Sequence, residues 1–117
     1  VDALLGVARA DIEAVYLERD GFRLELIWFR SPGHQGDARP RPMNLLGLTH
    51  LSFRVADLDA VCARIAAAGG SILRETLQAH PERGTRFVMA TDPDGTRLEL
   101  IQGPGDPALV PQVPRRP

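Results

Sequence analysis

The chain has 117 residues, enough for one domain and too few for two of ordinary size. Hydrophobic types make up 44% and charged types 25%, an ordinary globular balance that excludes a disordered or fibrous protein. Fourteen basic residues face fifteen acidic ones, so no net field draws the protein towards nucleic acid or an anionic membrane.

In chain order, Ile12 to Glu18 reads as a strand, Arg19 to Phe22 as a turn, and Arg23 to Phe29 as the returning strand. Eight of the ten prolines lie in Ser31 to Pro42 and Gly103 to Pro117, where fixed φ and missing N–H donors oppose helix and central strand. These two stretches read as a linker and a tail. Leu48 to Val55 alternates, with Thr49, Leu51, Phe53 and Val55 on one face and Leu48, His50, Ser52 and Arg54 on the other. Asp57 is an N-cap, and Leu58, Val61, Cys62, Ile65 and Ala68 form one helical stripe that ends at Gly69-Gly70. Ser71 to Glu75 is a short strand, Thr76 to Gly84 a loop and Thr85 to Thr91 a strand. Asp92-Pro93-Asp94-Gly95 is a tight turn and Thr96 to Gln102 the last strand. The order from Gly47 is β-α-β-β-β.

The chain repeats itself. Asp20-Gly21-Phe22-Arg23-Leu24-Glu25-Leu26-Ile27 matches Asp94-Gly95-Thr96-Arg97-Leu98-Glu99-Leu100-Ile101 at seven of eight positions, only Phe22 and Thr96 differing. Any hairpin reuses an Asp-Gly turn and apolar alternation, but not an arginine and a glutamate at fixed places. The match therefore predicts two copies of one unit. Residues 1–30 are then the last part of a first copy, 31–46 the proline-rich linker, 47–102 a complete second copy and 103–117 the tail. Equal copies would put the start of the first about 27 residues before Val1. Its front half would lie outside this sequence or be replaced by a partner molecule.

Alternation separates Leu98 and Leu100 from Arg97, Glu99 and Ile101, and Leu24 and Leu26 from Arg23, Glu25 and Ile27. Glu25, His50 and Glu99 can line one surface if the copies pack side by side. One imidazole and two carboxylates suit Zn, Ni, Co, Mn or Fe(II), and the two charges offset that of the ion. The plainer alternative stands beside this. A lone strand histidine is more often a surface group, and glutamate between leucines is often just the solvent-facing partner. Arg23, Arg54 and Arg97 share the polar faces and can pair with a substrate carboxylate or phosphate, or simply cover strand edges. Trp28, Phe29, Phe87 and Met89 suit either a pocket or the core. Cys62 belongs to the core, and His34 and His80 sit in loops away from any ligand pattern.

Leu48-Thr49-His50-Leu51-Ser52-Phe53-Arg54-Val55, Asp57-Leu58-Asp59 and Asp92-Pro93-Asp94-Gly95-Thr96-Arg97-Leu98-Glu99-Leu100 resemble motifs of the vicinal oxygen chelate superfamily. This group includes glyoxalase I, methylmalonyl-CoA epimerase, extradiol dioxygenases and bleomycin resistance proteins. The resemblance covers about residues 4 to 102 and implies an α+β fold. Paired βαβββ modules would form a curved mixed sheet around a divalent metal, with the first module incomplete in this chain. It implies His50 and Glu99 as first- and last-strand ligands of the second module and Glu25 as last-strand ligand of the first. The fourth ligand would fall about 24 residues before Val1. A Glu at position 25 resembles the ligand set of glyoxalase I, whereas the long linker is nearer to that of the epimerase.

The implied activity is that of a lyase or isomerase moving a proton beside a metal-chelated carbonyl of a small-molecule substrate. Glu99 is the first choice of base and Glu25 the second carboxylate. A bleomycin-resistance-type binder without catalysis and an Fe(II) dioxygenase are the competing readings, and family members often form homodimers. Because every basic residue is arginine, Schiff-base chemistry and the lysine-dependent phosphate loop are excluded. One cysteine, no membrane-length apolar run and no signal-peptide pattern at Val1-Asp2-Ala3 lead to the expectation of a soluble, cytoplasmic protein.

Overall fold

The computed structural model describes residues 1–107, so most of the proline-rich tail lies outside the described residues. The chain divides into two compact units, Val1–Gly36 and Asp37–Pro117. The protein is α+β, with few helices and mixed sheets.

The first unit opens with one helical turn, α1 (Asp2–Leu5), which the sequence pattern did not indicate. Gly6 ends it in the left-handed region, and the Asp2 carboxylate then accepts the N–H groups of Arg9 and Ala10 at 2.7 and 3.0 Å. Those two donors, in that order, hold the Asp2 carboxyl below its usual range. Strands β1 (Asp11–Arg19) and β2 (Phe22–Ser31) form an antiparallel hairpin across the two-residue turn Asp20-Gly21. Both turn residues have positive φ, 52° and 78°, the backbone that matches the twist of the flanking strands. Both strands run slightly longer than their apolar pattern.

The second unit contains β3 (Leu51–Arg54), α2 (Leu58–Ala67), β4 (Ser71–His80), a 3-10 turn Pro81–Arg83, β5 (Thr85–Thr91) and β6 (Arg97–Gln102). The sheet order is β3-β6-β5-β4, with β3 parallel to β6 and the other neighbours antiparallel. This is the expected β-α-β-β-β unit. Asp57 caps α2 by accepting the Ala60 N–H at 3.0 Å, and Gln102 Oε1 accepts the Leu58 N–H at 2.7 Å. One apolar stripe of the helix lies on one sheet face, where Leu58, Val88, Ala90 and Leu100 form the buried core. Val55, Val61, Cys62, Ile65, Ile72 and Leu98 pack around it. Burial pushes the Cys62 thiol up, as expected of a core cysteine.

Two boundaries differ from the sequence pattern. The first strand of this unit is shorter than Leu48 to Val55, because only Leu51 to Arg54 face ladder partners, Leu98 to Ile101 on β6. Leu48, outside the ladder, is 95% exposed. Conversely, β4 continues to His80 where a loop from Thr76 was expected. The register is interrupted between Leu73 and Gln78, and the Thr76 hydroxyl fills the break. It donates to the Leu73 carbonyl at 2.6 Å and accepts the Met89 N–H at 2.8 Å, so pairing resumes beyond the bulge.

The β5–β6 turn is tied by Asp92. Its Oδ1 accepts the N–H groups of Asp94 and Thr96, both at 2.9 Å, and the backbone closes from Asp92 N to Thr96 O at 3.0 Å. Part of the proline-rich linker crosses this turn. A Cβ on Gly95 would lie 2.1 Å from the Ala38 carbonyl oxygen, and its φ is +85°. Only glycine satisfies both the close approach and the backbone.

Candidate functional site

The parallel pairing of β3 with β6 sets Ser52 opposite Glu99 and Arg54 opposite Ile101, which puts them with Arg97 on the sheet face away from α2. His50, just before β3, joins that face. Its Nε2 lies 3.4 Å from Glu99 Oε2, and each side chain is 25% exposed. The other ring nitrogen, Nδ1, lies 2.8 Å from the Thr49 hydroxyl. Ser52 Oγ donates to the second Glu99 oxygen, Oε1, at a long 3.4 Å. An imidazole nitrogen and a carboxylate oxygen thus meet on a partly exposed sheet face.

Glu25 stands on β2 in the first unit. The register places it opposite Tyr16, whose hydroxyl donates to Glu25 Oε1 at 2.9 Å. This hydrogen bond, and then the carboxylate's charge, raises the Tyr16 phenol above its ordinary value. Tyr16 is absent from the residues singled out in the sequence. The signal was there, because a two-residue turn at Asp20-Gly21 fixes every cross-strand pair, and counting back from it pairs Tyr16 with Glu25.

The three arginines have different surroundings. Arg23 is ion-paired with Glu18 and its guanidinium lies 5.9 Å from the centroid of the Tyr16 ring. Arg97 donates through Nε to the Arg41 carbonyl at 2.9 Å, tying the linker to β6. Arg54 is half-buried on the same strand face as Ser52. On the opposite, helix-bearing side of the sheet, Arg86 forms a two-pronged pair with Asp59 at 3.1 Å per bond. That pair holds the Asp59 carboxyl below its usual range. Trp28 is 59% exposed, with the Arg30 guanidinium 5.9 Å from its ring centroid. Phe87 meets His80 edge-on at 5.5 Å.

Among the described residues no three His, Cys, Asp or Glu side chains gather into one metal-holding group. His50 and Glu99 supply two donors, and the nitrogen and oxygen chemistry of the pair fits a divalent ion of the Zn, Mn or Fe(II) type. No helix among the described residues is long and apolar enough to cross a membrane.

A parallel β3–β6 pair flanked by β5 and β4, with one helix on one face and a His–Glu pair on the other, defines a βαβββ module. Residues 3–100 match the model of the Glyoxalase/Bleomycin resistance protein/Dioxygenase superfamily, and the chain belongs to this superfamily. Among curated relatives, it is 38% identical over 64 residues to the uncharacterized protein YaeR of Escherichia coli, covering 55% of this chain and 48% of the relative. It is 44% identical over 55 residues to a probable lactoylglutathione lyase of Vibrio parahaemolyticus, covering 45% of this chain and 38% of the relative. The matched stretches thus span about half or less of these relatives' length. A glyoxalase family protein from Bacillus cereus has a similar structure, with a TM-score of 0.72 at 25% identity over 89% of this chain and 70% of that one.

Proposed function

We propose that this chain carries the reaction site of a glyoxalase I- or epimerase-type lyase or isomerase, one that moves a proton on the carbon next to a carbonyl. The observation that supports it most directly is the approach of His50 Nε2 to Glu99 Oε2 on a partly open sheet face. Substrates of this class are hemithioacetals of 2-oxo aldehydes and thioesters. Similarity to a probable lactoylglutathione lyase favours the hemithioacetal.

In this proposal His50 and Glu99 are ligands of a divalent metal, and Glu25 is a further candidate ligand. When bound, such an ion polarises the substrate carbonyl and acidifies the adjacent C–H. Glu99 takes that proton on a carboxylate oxygen and returns it to the neighbouring carbon; its partial exposure gives the substrate access to this oxygen. Ser52 limits rotation of the Glu99 carboxylate, and Tyr16 does the same for Glu25. Arg54 and Arg97 stand on the same face of the second unit, and Arg23 on the face of Glu25, to meet an anionic part of the substrate. A homodimer is part of the same proposal, supported by the half-exposed Val15, Leu17 and Leu26 on one hairpin face. Light scattering that gives a monomer at working concentration removes that part.

The test is solvent proton exchange at the α-carbon of hemithioacetals and thioesters, with metal content measured on the same samples. Glu99→Gln is expected to slow exchange by about 100-fold or more while metal content falls only in part. Unchanged exchange in this variant overturns the assignment of Glu99 as base.

A further inference from the structure

The segment that carries His50 has no ladder of its own: β3 begins at Leu51. The orientation of the imidazole is therefore set by its side-chain contacts. Among the described residues there are two, one on each ring nitrogen: the Thr49 hydroxyl at 2.8 Å on Nδ1 and Glu99 Oε2 at 3.4 Å on Nε2. A neutral imidazole carries one N–H, so the two contacts need opposite roles. With the proton on Nε2, the ring donates to Glu99 and Nδ1 must accept, so the Thr49 hydroxyl donates. With the proton on Nδ1, the ring donates to Thr49 and Nε2 presents a lone pair towards Glu99.

A hydroxyl can serve both states, because it can donate or accept by rotating its O–H. A backbone carbonyl or a carboxylate at that place would fix the proton on Nδ1, and an amide N–H would fix it on Nε2. We propose that Thr49 is the positioning residue of His50. Its hydroxyl turns from donor to acceptor as the ring changes tautomer, so that Nε2 is released from Glu99 and offered as a ligand nitrogen without loss of a hydrogen bond. This inference rests on the reading of His50 as a metal ligand and adds a residue to it. Leaving Nδ1–H without an acceptor carries the cost of an unpaired polar group in a three-quarters-buried ring, which would be set against metal binding.

Thr49→Val keeps the shape of the side chain and removes the hydroxyl; Thr49→Ser keeps the hydroxyl and removes the methyl group. Zn(II) titrated into the full chain is expected to bind Thr49→Val about 10- to 100-fold more weakly than the parent, and Thr49→Ser within about threefold of it. Nitrogen-15 NMR supplies a readout that packing alone would not move. In the Zn(II)-loaded parent and in Thr49→Ser, His50 should show an Nδ1–H proton protected from solvent exchange, absent from Thr49→Val. If Thr49→Val does not fold, Thr49→Ala carries the same comparison. His50→Ala separates the two levels of argument. If it binds Zn(II) as tightly as the parent, the reading of His50 as ligand fails. If it loses Zn(II) while Thr49→Val retains parental affinity and a protected Nδ1–H, the role given to Thr49 is overturned.

Discussion

The two Asp-Gly hairpins share a sequence and differ in what covers them. By register, Val88 opposite Leu100 and Ala90 opposite Leu98 form the face beneath α2, at exposures of 3, 2 and 0% for Val88, Leu100 and Ala90. The corresponding pairs on the first hairpin are Val15 opposite Leu26 and Leu17 opposite Leu24. Val15, Leu17 and Leu26 are 48, 50 and 50% exposed. Alternation thus decides which side of a strand is apolar, while burial is decided by the helix that lies on it. The polar faces differ in the same way. Glu99 meets Ser52 on the neighbouring strand and His50 just before that strand, whereas Glu25 accepts a hydrogen bond from Tyr16 of its own hairpin.

Matched substitutions sharpen this contrast. Leu100→Ala empties a filled place in the core and is expected to cost about 2–5 kcal/mol in denaturant unfolding. Leu26→Ala, at the corresponding half-exposed place, should cost about 1 kcal/mol or less. Equal losses would mean that the two faces are covered alike. Glycine in the two turns gives a second pair. Gly95→Ala meets both an unfavourable φ and the Ala38 carbonyl, so it should cost more than about 2 kcal/mol. Gly21→Ala meets only its φ of +78°, with nothing within 4 Å, and should cost about 1 kcal/mol.

The smallest effects are the pH responses, and they fall at opposite ends of the scale. Tyr16, the only tyrosine, has its folded value raised by Glu25. The stability it contributes is complete below the ordinary phenol range and is lost as pH rises through the higher folded value. Absorbance of the phenolate should titrate above about 10 in the parent and move back towards that value in Glu25→Gln. Asp59, lowered by Arg86, behaves in the reverse sense. Its contribution is present above the ordinary carboxylate range and is lost as pH falls through the lower folded value, so Arg86→Gln should flatten the acid limb of unfolding below about pH 4.

Much of the second unit was legible because local signals agreed. Asp57 followed by a helical stripe fixed α2, and the Asp-Pro-Asp-Gly turn fixed the β5–β6 hairpin. Alternation put His50 and Glu99 on the polar faces of their strands, and the parallel pairing of β3 with β6 brings the two together. Thr76 was opaque for a physical reason, since its side chain takes the place of backbone pairing and so hides a bulge inside an apparent loop. Thr49 was opaque for another. Alternation assigns it to the apolar face opposite His50, and its hydrogen bond to the adjacent ring becomes visible only because the ladder begins two residues later, at Leu51. Tyr16 could have been found by counting from the turn, as its pairing with Glu25 needs no tertiary information.

The central claim is that His50 and Glu99 of the second unit help to hold one divalent ion. Isothermal titration of the metal-free full chain with Zn(II) and Mn(II) tests it most directly, with His50→Ala and Glu99→Gln titrated alongside. The account predicts saturable binding by the parent and at least a tenfold loss of affinity in each variant. Parental affinity retained in both variants, or no binding by the parent above background, would contradict it.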